Sequence, residues 1–326
     1  MKGRKALLTA ALAVAAVSAA MVTAANASSV HHSRALADIT IASLPVADSA
    51  LAQVAMDRGY FTQRGLNAKF SIVATGPATT AAIVSGSAQF SQSNYATLIQ
   101  ARSQRVPVTI VTEAARAAAG FTGVYVLPDS SIQSPKDLEG KRVSTSVLGG
   151  IGPVLIDRYL KSKGVDYTKI QWVQMPFGNM GAALQQKQID AAWVVEPITT
   201  QLKEQLNARQ VFDISSGITQ NVPFAGWATN QNWAKAHPGL VRAFQLAIRD
   251  AGAYAKAHKG TIRNAIPEYT TLKQADVSKL HLEAYPDTTS AAAIKRVADY
   301  MKDTGALSTT FHVQNMIWPQ PKAGAK

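Results

Sequence analysis

Apolar and β-branched positions in this chain fall into short extended runs, separated by stretches that repeat at helical spacing. Ile39 to Leu44 alternates and is predicted as a strand. Pro45 ends it, and Asp48 or Ser49 can cap a helix whose Leu51, Val54 and Ala55 face inward and which Gly59 closes. Strands follow at Ala68 to Val73, Ala88 to Ser91, Val106 to Val111 and Phe121 to Leu127, with helices opening at Gly76-Pro77 and Ser93-Asn94. After a capped turn from Ser134 to Leu138, the pattern repeats. Arg142-Val143, Ile170 to Gln174, Ile189 to Val195 and Val211-Phe212 are extended, and helices end near Gly164, Lys187 and Leu206. Phe224 to Thr229 is the last strand, followed by helices at Pro238 to Lys256, Gly260 to Tyr269, Lys273 to Glu283 and Ser290 to Asp303.

Two successive blocks of alternating strands and helices predict two α/β lobes with mainly parallel sheets. In such sheets ligands bind beyond the carboxyl ends of the strands. The loops Pro45 to Ser49, Thr75 to Pro77, Gln92 to Asn94, Ser144 to Gly152 and Pro176 to Met180 would then face one cleft. The densest of these is Lys141 to Lys163, where a short strand runs through hydroxyl residues and Gly149, Gly150 and Gly152 into a helix carrying Pro153. Free N–H groups and the positive end of a helix dipole converge there, which suits a small anion. No Lys-Ser/Thr follows the glycines, so this is not a phosphate-binding loop. A tight turn without a ligand would read the same way.

Composition narrows the class. Of 326 residues, 47% are hydrophobic and 16% charged, enough to bury a sizeable core. Lys2, Arg4 and Lys5 precede an apolar run from Ala6 to Val22 and Ala25-Asn26-Ala27, which reads as an export signal over residues 1–27. There are no cysteines, which excludes disulfides, thiol catalysis, thiolate metal sites and a lipidated N-terminus. A free periplasmic or extracellular monomer is expected, without stable membrane insertion. The net charge is +13, of which the leader supplies three, and the rest is scattered over helices such as Lys256 to Arg263. That scatter argues against nucleic acid. No histidine has metal-ligand spacing with an acidic partner, and no cofactor motif occurs.

Ordered short motifs carry a resemblance over almost the whole mature chain. They are Leu44 to Ala50 with Asp57 to Phe61 and Gly65-Leu66, then Gly76-Pro77-Ala78 and Gly86 to Phe90, then Asp137 to Val143, and finally Gln188 to Trp193 with Glu196-Pro197. The set resembles the NMT1-like solute-binding proteins of ABC importers for nitrate, taurine, alkanesulfonates and thiamine precursors. The resemblance implies a type II periplasmic-binding-protein fold with two hinge crossovers, and a ligand handed to permease and ATPase subunits. The lobes are expected at 38–128 and 226–326 for the first and 129–225 for the second. Gln89 departs from the acidic residue usual in the family.

The candidate ligand-contacting residues are Asp48, Ser49, Gly76, Pro77, Ser93, Asn94, Ser146, Gly149, Gly150, Gly152, Asn179, Trp193, Glu196 and Trp227. Asp48, Ser49, Ser93 and Asn94 are equally suited to capping helices. Trp193 and Trp227 can stack on a ligand or fill lobe cores, and Glu196 can receive a ligand amino group or pair with a lysine. Gly150 is expected in an exposed loop, where a bulky substitute would block the ligand and spare the fold. The expected ligand is a small organic anion such as an alkanesulfonate or taurine. An amine-bearing pyrimidine and a non-transport secreted sensor are the alternatives. No Ser/His/Asp order stands out in the cleft loops, and the cysteine-rich signature of the yeast pyrimidine synthase of this fold is absent, so an enzyme is not expected.

Overall fold

A computed structural model describes residues 35–322, and the predicted leader over 1–27 lies outside them. The chain begins with β1 (Ala37–Ser43), α1 (Ala50–Asp57), α2 (Tyr60–Gln63), β2 (Leu66–Ile72), α3 (Gly76–Ser85), β3 (Phe90–Asn94), α4 (Tyr95–Ser103) and β4 (Val108–Arg116). It continues through β5 (Thr122–Val126), β6 (Arg142–Thr145), α5 (Ile151–Ser162), β7 (Gln171–Gln174), α6 (Phe177–Gln185), β8 (Ala191–Val195), α7 (Ile198–Leu206) and β9 (Arg209–Asp213). It closes with β10 (Pro223–Asn230), α8 (Gln231–Ala236), α9 (Pro238–Ala257), α10 (Thr261–Ala265) and α11 (Ala291–Asp303).

These strands form two five-stranded sheets with the same pattern, β2-β1-β3-β10-β4 and β7-β6-β8-β5-β9. In the first, β1 pairs in parallel with β2 and β3, and β10 runs antiparallel between β3 and β4. In the second, β6 pairs in parallel with β7 and β8, and β5 runs antiparallel between β8 and β9. Each sheet is therefore mainly parallel, with one reversed strand that the chain contributes as it crosses over. Ala117 N–H donates to the Val222 carbonyl at 2.9 Å, tying the two crossing segments together.

The strand from Phe121 to Leu127, read as the end of the first lobe's opening part, pairs with the second sheet instead. Likewise β10 begins at Pro223 and lies wholly in the first sheet. The helix expected from Lys273 to Glu283 forms only a 3-10 turn over Gln274–Lys279. Beyond it the chain is extended, because Ala284 exchanges two backbone hydrogen bonds with Arg116, at 2.8 and 3.0 Å. Tertiary pairing outweighs a weak helical preference there. Helix α10 stops after Ala265, since Pro267 removes an N–H and crowds the preceding turn. Gly59, Gly86 and Gly164 adopt the left-handed conformation expected of helix ends, with φ of 68°, 80° and 70°. Gln89 does an acceptor's work at its sheet edge, its Oε1 taking the Thr40 N–H at 2.8 Å.

The first sheet's core is aromatic: Phe90 stacks on Phe244 with centroids 4.0 Å apart, and Trp227 meets the same ring edge-on. Where β4 leaves the sheet, the buried Glu113 carboxylate is held by the Arg116 guanidinium in two bonds, at 2.6 and 3.1 Å. Truncating the arginine would strand a charge whose side chain is 0% exposed. Arg116→Ala is expected to cost about 3 kcal/mol of unfolding free energy. Glu113→Gln with Arg116→Met should recover much of it. Equilibrium denaturation reads both, and a wild-type midpoint for Arg116→Ala would contradict the role.

Candidate functional site

The loops that follow the parallel strands of both sheets converge, as open α/β sheets require. They meet at a small cavity of about 20 Å³ lined by Leu44, Val46, Asp48, Gln92, Asn94 and Phe224 from the first sheet, with Ser146, Ile151, Phe177, Trp193 and Val195 from the second. Seven of the eleven lining residues are apolar, so the walls suit a hydrocarbon body and four polar groups fix its orientation. Lysine and arginine are absent from the lining, despite the chain's basic balance.

The first sheet presents two unpartnered acceptors and one amide donor. Asp48 is 2% exposed, and its Oδ2 takes a hydrogen bond from Gln92 Nε2 at 3.1 Å. Asp48 Oδ1 and Gln92 Oε1 are buried without partners. Burial pushes the Asp48 carboxyl up to about 7, against the opposing pull of its backbone hydrogen bond. Asn94 caps α4 by accepting the Thr97 N–H at 2.9 Å with Oδ1, which leaves its amide nitrogen for the cavity. The second sheet presents donors: the Ser146 hydroxyl, and the Ile151 and Gly152 N–H groups at the start of α5, where Pro153 has no N–H and Val154 N–H is taken by the Gly150 carbonyl. The helix dipole adds positive potential at that end.

Trp193 belongs to the second sheet's core and reaches the cavity wall. Its Nε1 donates to Thr122 Oγ1 at 2.9 Å, its ring packs near Phe177, and it lines the cavity. A Cβ on Gly152 would fall 2.3 Å from that ring, so glycine is needed for the close approach. Gly149, with φ of 67°, turns the loop beside Gln100 of α4. Gly150 is buried, not exposed: a Cβ there would sit 2.2 Å from Val147 Cγ1. A bulky substitute at Gly150 would therefore disturb the turn itself, so the fold would not be spared.

Other candidates stand back from the cavity. The Ser49 hydroxyl bonds Ser43 and the Leu44 carbonyl, and neither Asp48 nor Ser49 caps α1 with its side chain. Ser93 is buried on β3, and Trp227 lies in the first core. Gly76 packs beside the Asn94 amide, Pro77 is exposed, and Asn179 points to the surface of α6. Glu196 binds neither ligand-facing space nor a lysine: its carboxylate takes the Thr200 hydroxyl and N–H and the His281 N–H. Gln92, Phe177 and Phe224 line the cavity without having been singled out. Gln92 and Phe177 sit in loops already assigned to the cleft, and the strand alternation that sends Gln92 inward was the available signal.

Among the described residues no cluster of His, Asp or Glu could hold a metal ion, and no helix is long and apolar enough to cross a membrane. The taurine-binding periplasmic protein of Escherichia coli K12 is 25% identical over 215 residues, 66% of this chain and 65% of that one. The alkanesulfonate-binding protein SsuA of Xanthomonas axonopodis pv. citri, solved with MOPS, superimposes with a TM-score of 0.75 at 17% identity, over 87% of this chain and 99% of that one. The desulfurization enzyme DSZB also matches, with a TM-score of 0.63 at 15% identity over 87% and 96%. These likenesses establish the periplasmic-binding-protein fold. The family model described as NMT1/THI5 like matches residues 47–261, and the chain belongs to that family.

Proposed function

We propose that this protein is the exported solute-capturing component of an ABC importer, and that it holds a small aminosulfonate-like zwitterion between its lobes. The observation that carries the ligand class is the cavity's polarity. Unpartnered acceptors, Asp48 Oδ1 and Gln92 Oε1, stand on the first sheet, while Ser146 and the start of α5 offer donors from the second. An anionic head belongs at the helix start and an amino group at Asp48, with the short carbon body against Phe177, Trp193 and Phe224. A plain alkanesulfonate would leave two buried acceptors without donors. The taurine-binding relative supports this reading.

Binding without catalysis follows from the same lining. Ser146 is the cavity's one hydroxyl, and it makes no hydrogen bond to a basic group that could activate it. The lobes of this reading are 36–116 with 223–322, and 122–213, moving as rigid bodies about crossings at 117–121 and 214–222. Delivery to the importer requires the N-terminal export signal and places the protein in the periplasm.

Calorimetry with taurine, ethanesulfonate, ethylamine and an aminopyrimidine tests the ligand class. Taurine is expected to bind at least a hundredfold more tightly than either half-molecule, and Asp48→Asn to lose about 2 kcal/mol of its binding. Equal affinity for ethanesulfonate would remove Asp48 from the ligand's account, and tight binding of the aminopyrimidine alone would move the class to heterocycles. Gly152→Ala is expected to push the Trp193 ring out of place, lowering the melting temperature and weakening taurine about tenfold, or 1.4 kcal/mol. Indole fluorescence and calorimetry on that variant check it, and wild-type values in both would contradict the packing role.

A further inference from the structure

Behind the cavity's acidic wall lies an arrangement that the ligand's fit alone does not explain. Glu283, 4% exposed, reaches the same place from the C-terminal segment. Tyr285 Oη donates to Glu283 Oε1 at 2.9 Å and lies 3.2 Å from the carbonyl of Ala47, the residue before Asp48. Glu283 Oε2 is buried without a partner, as is Asp48 Oδ1. Glu196 adds a third fully buried carboxyl at the end of β8. The other titratable groups facing this cluster are the Tyr269 and Tyr285 phenols, with the Tyr125 phenol near Glu196, while His281 offers Glu196 its main-chain N–H. Among the described residues Asp48, Glu283 and Glu196 form no ion pair with a lysine or arginine, in contrast to Glu113, which keeps Arg116.

Three buried carboxyls without a cation cannot all stay ionised in a low-dielectric site. Either protons or a charge brought from outside must compensate them. Asp48 is the member that opens on the cavity, and Glu283 is not part of the lining. We propose that Asp48 is a proton-exchanging subsite for a cationic nitrogen, the ligand's positive charge replacing a proton that burial without a counter-ion otherwise holds on Asp48. Glu283 keeps its own proton throughout, since burial and the fields of Asp48 and Glu196 favour its neutral form.

The exchange balances simply. Below neutrality the Asp48 O–H bond breaks and its proton goes to solvent, while an ammonium group enters with its N–H bonds intact and pairs with the carboxylate. One proton leaves per ligand bound. Above neutrality Asp48 is already ionised and none leaves, because burial places its titration at about 7. Affinity for a cationic ligand is therefore full above neutrality and falls about tenfold per pH unit below it.

The proposal takes its ligand from the aminosulfonate reading, but the carboxyl can be tested apart from it. Asp48, isotopically labelled at the side-chain carboxyl with the other aspartates and assigned by Asp48→Asn, is followed by carbon NMR across pH in the full exported protein. Without ligand it is expected to titrate near 7. Saturating ethylammonium chloride and taurine should each lower that midpoint by a unit or more, and sodium ethanesulfonate should not. A ligand-free midpoint at the ordinary aspartate value of about 4 overturns the proposal. So does a midpoint near 7 that neither nitrogen compound lowers. If ethylammonium lowers it and taurine does not, the subsite stands and the aminosulfonate reading falls.

Discussion

Glu196 is 0% exposed, and the rest of the site depends on how that buried carboxylate is satisfied. Its Oε1 accepts from Thr200 Oγ1 at 2.9 Å and from His281 N–H at 3.0 Å, and its Oε2 from Thr200 N–H at 3.2 Å. Its carbonyl takes the Ala47 N–H at 2.9 Å. An unsatisfied charge in that position would cost several kcal/mol, so these bonds hold three distant segments to one another. They are the end of β8, the loop after β1 and the C-terminal stretch past Leu280. Val195 and Val46, the immediate neighbours of two of those partners, are thereby set on facing walls of the cavity.

With the walls fixed, the cavity's character follows from what each sheet sends to its carboxyl edge. The first contributes a carboxyl and two amides, the second a hydroxyl and a helix start. Gln92 and Asp48 pair with each other in part, yet Asp48 Oδ1 and Gln92 Oε1 are left unpaired. The apolar residues between them exclude water, which strengthens both poles. Trp193 is seated against Gly152 at a distance no other residue would permit, so the second wall is rigid at that point. Helix α11 packs against both α4 and α5, and its Asp303 pairs with Arg158 and Lys161 of α5. The helix whose start faces the cavity is thus anchored at its far end as well.

Much of this was readable in the residues. Alternation and helix-end glycines locate the strands and most helices, and topology assigns the loops after β1, β2, β3, β6 and β7 to one cleft, of which the Thr75 to Pro77 loop supplies no lining residue. Individual side chains were harder. Asn179 was chosen for its chemistry, but the turn of α6 points Phe177 inward and leaves Asn179 exposed. The sequence leaves Glu196 open to a ligand amino group or a lysine, because its actual partners, Thr200 and His281, are respectively four and 85 residues away and the distant one is not visible in sequence. Gly150 reads as an exposed loop residue, yet Val147 folds back over it. The stretch after Lys273 has helical spacing, and only its pairing with Arg116 makes it extended.

The central claim is that one small ligand spans two chemically opposite walls. A crystal structure of the protein with taurine tests it most directly. The account predicts the amino nitrogen within hydrogen-bonding distance of Asp48 Oδ1, and the sulfonate at Ser146 and the first turn of α5. A sulfonate seated against Asp48, or taurine bound outside this cavity, would contradict it.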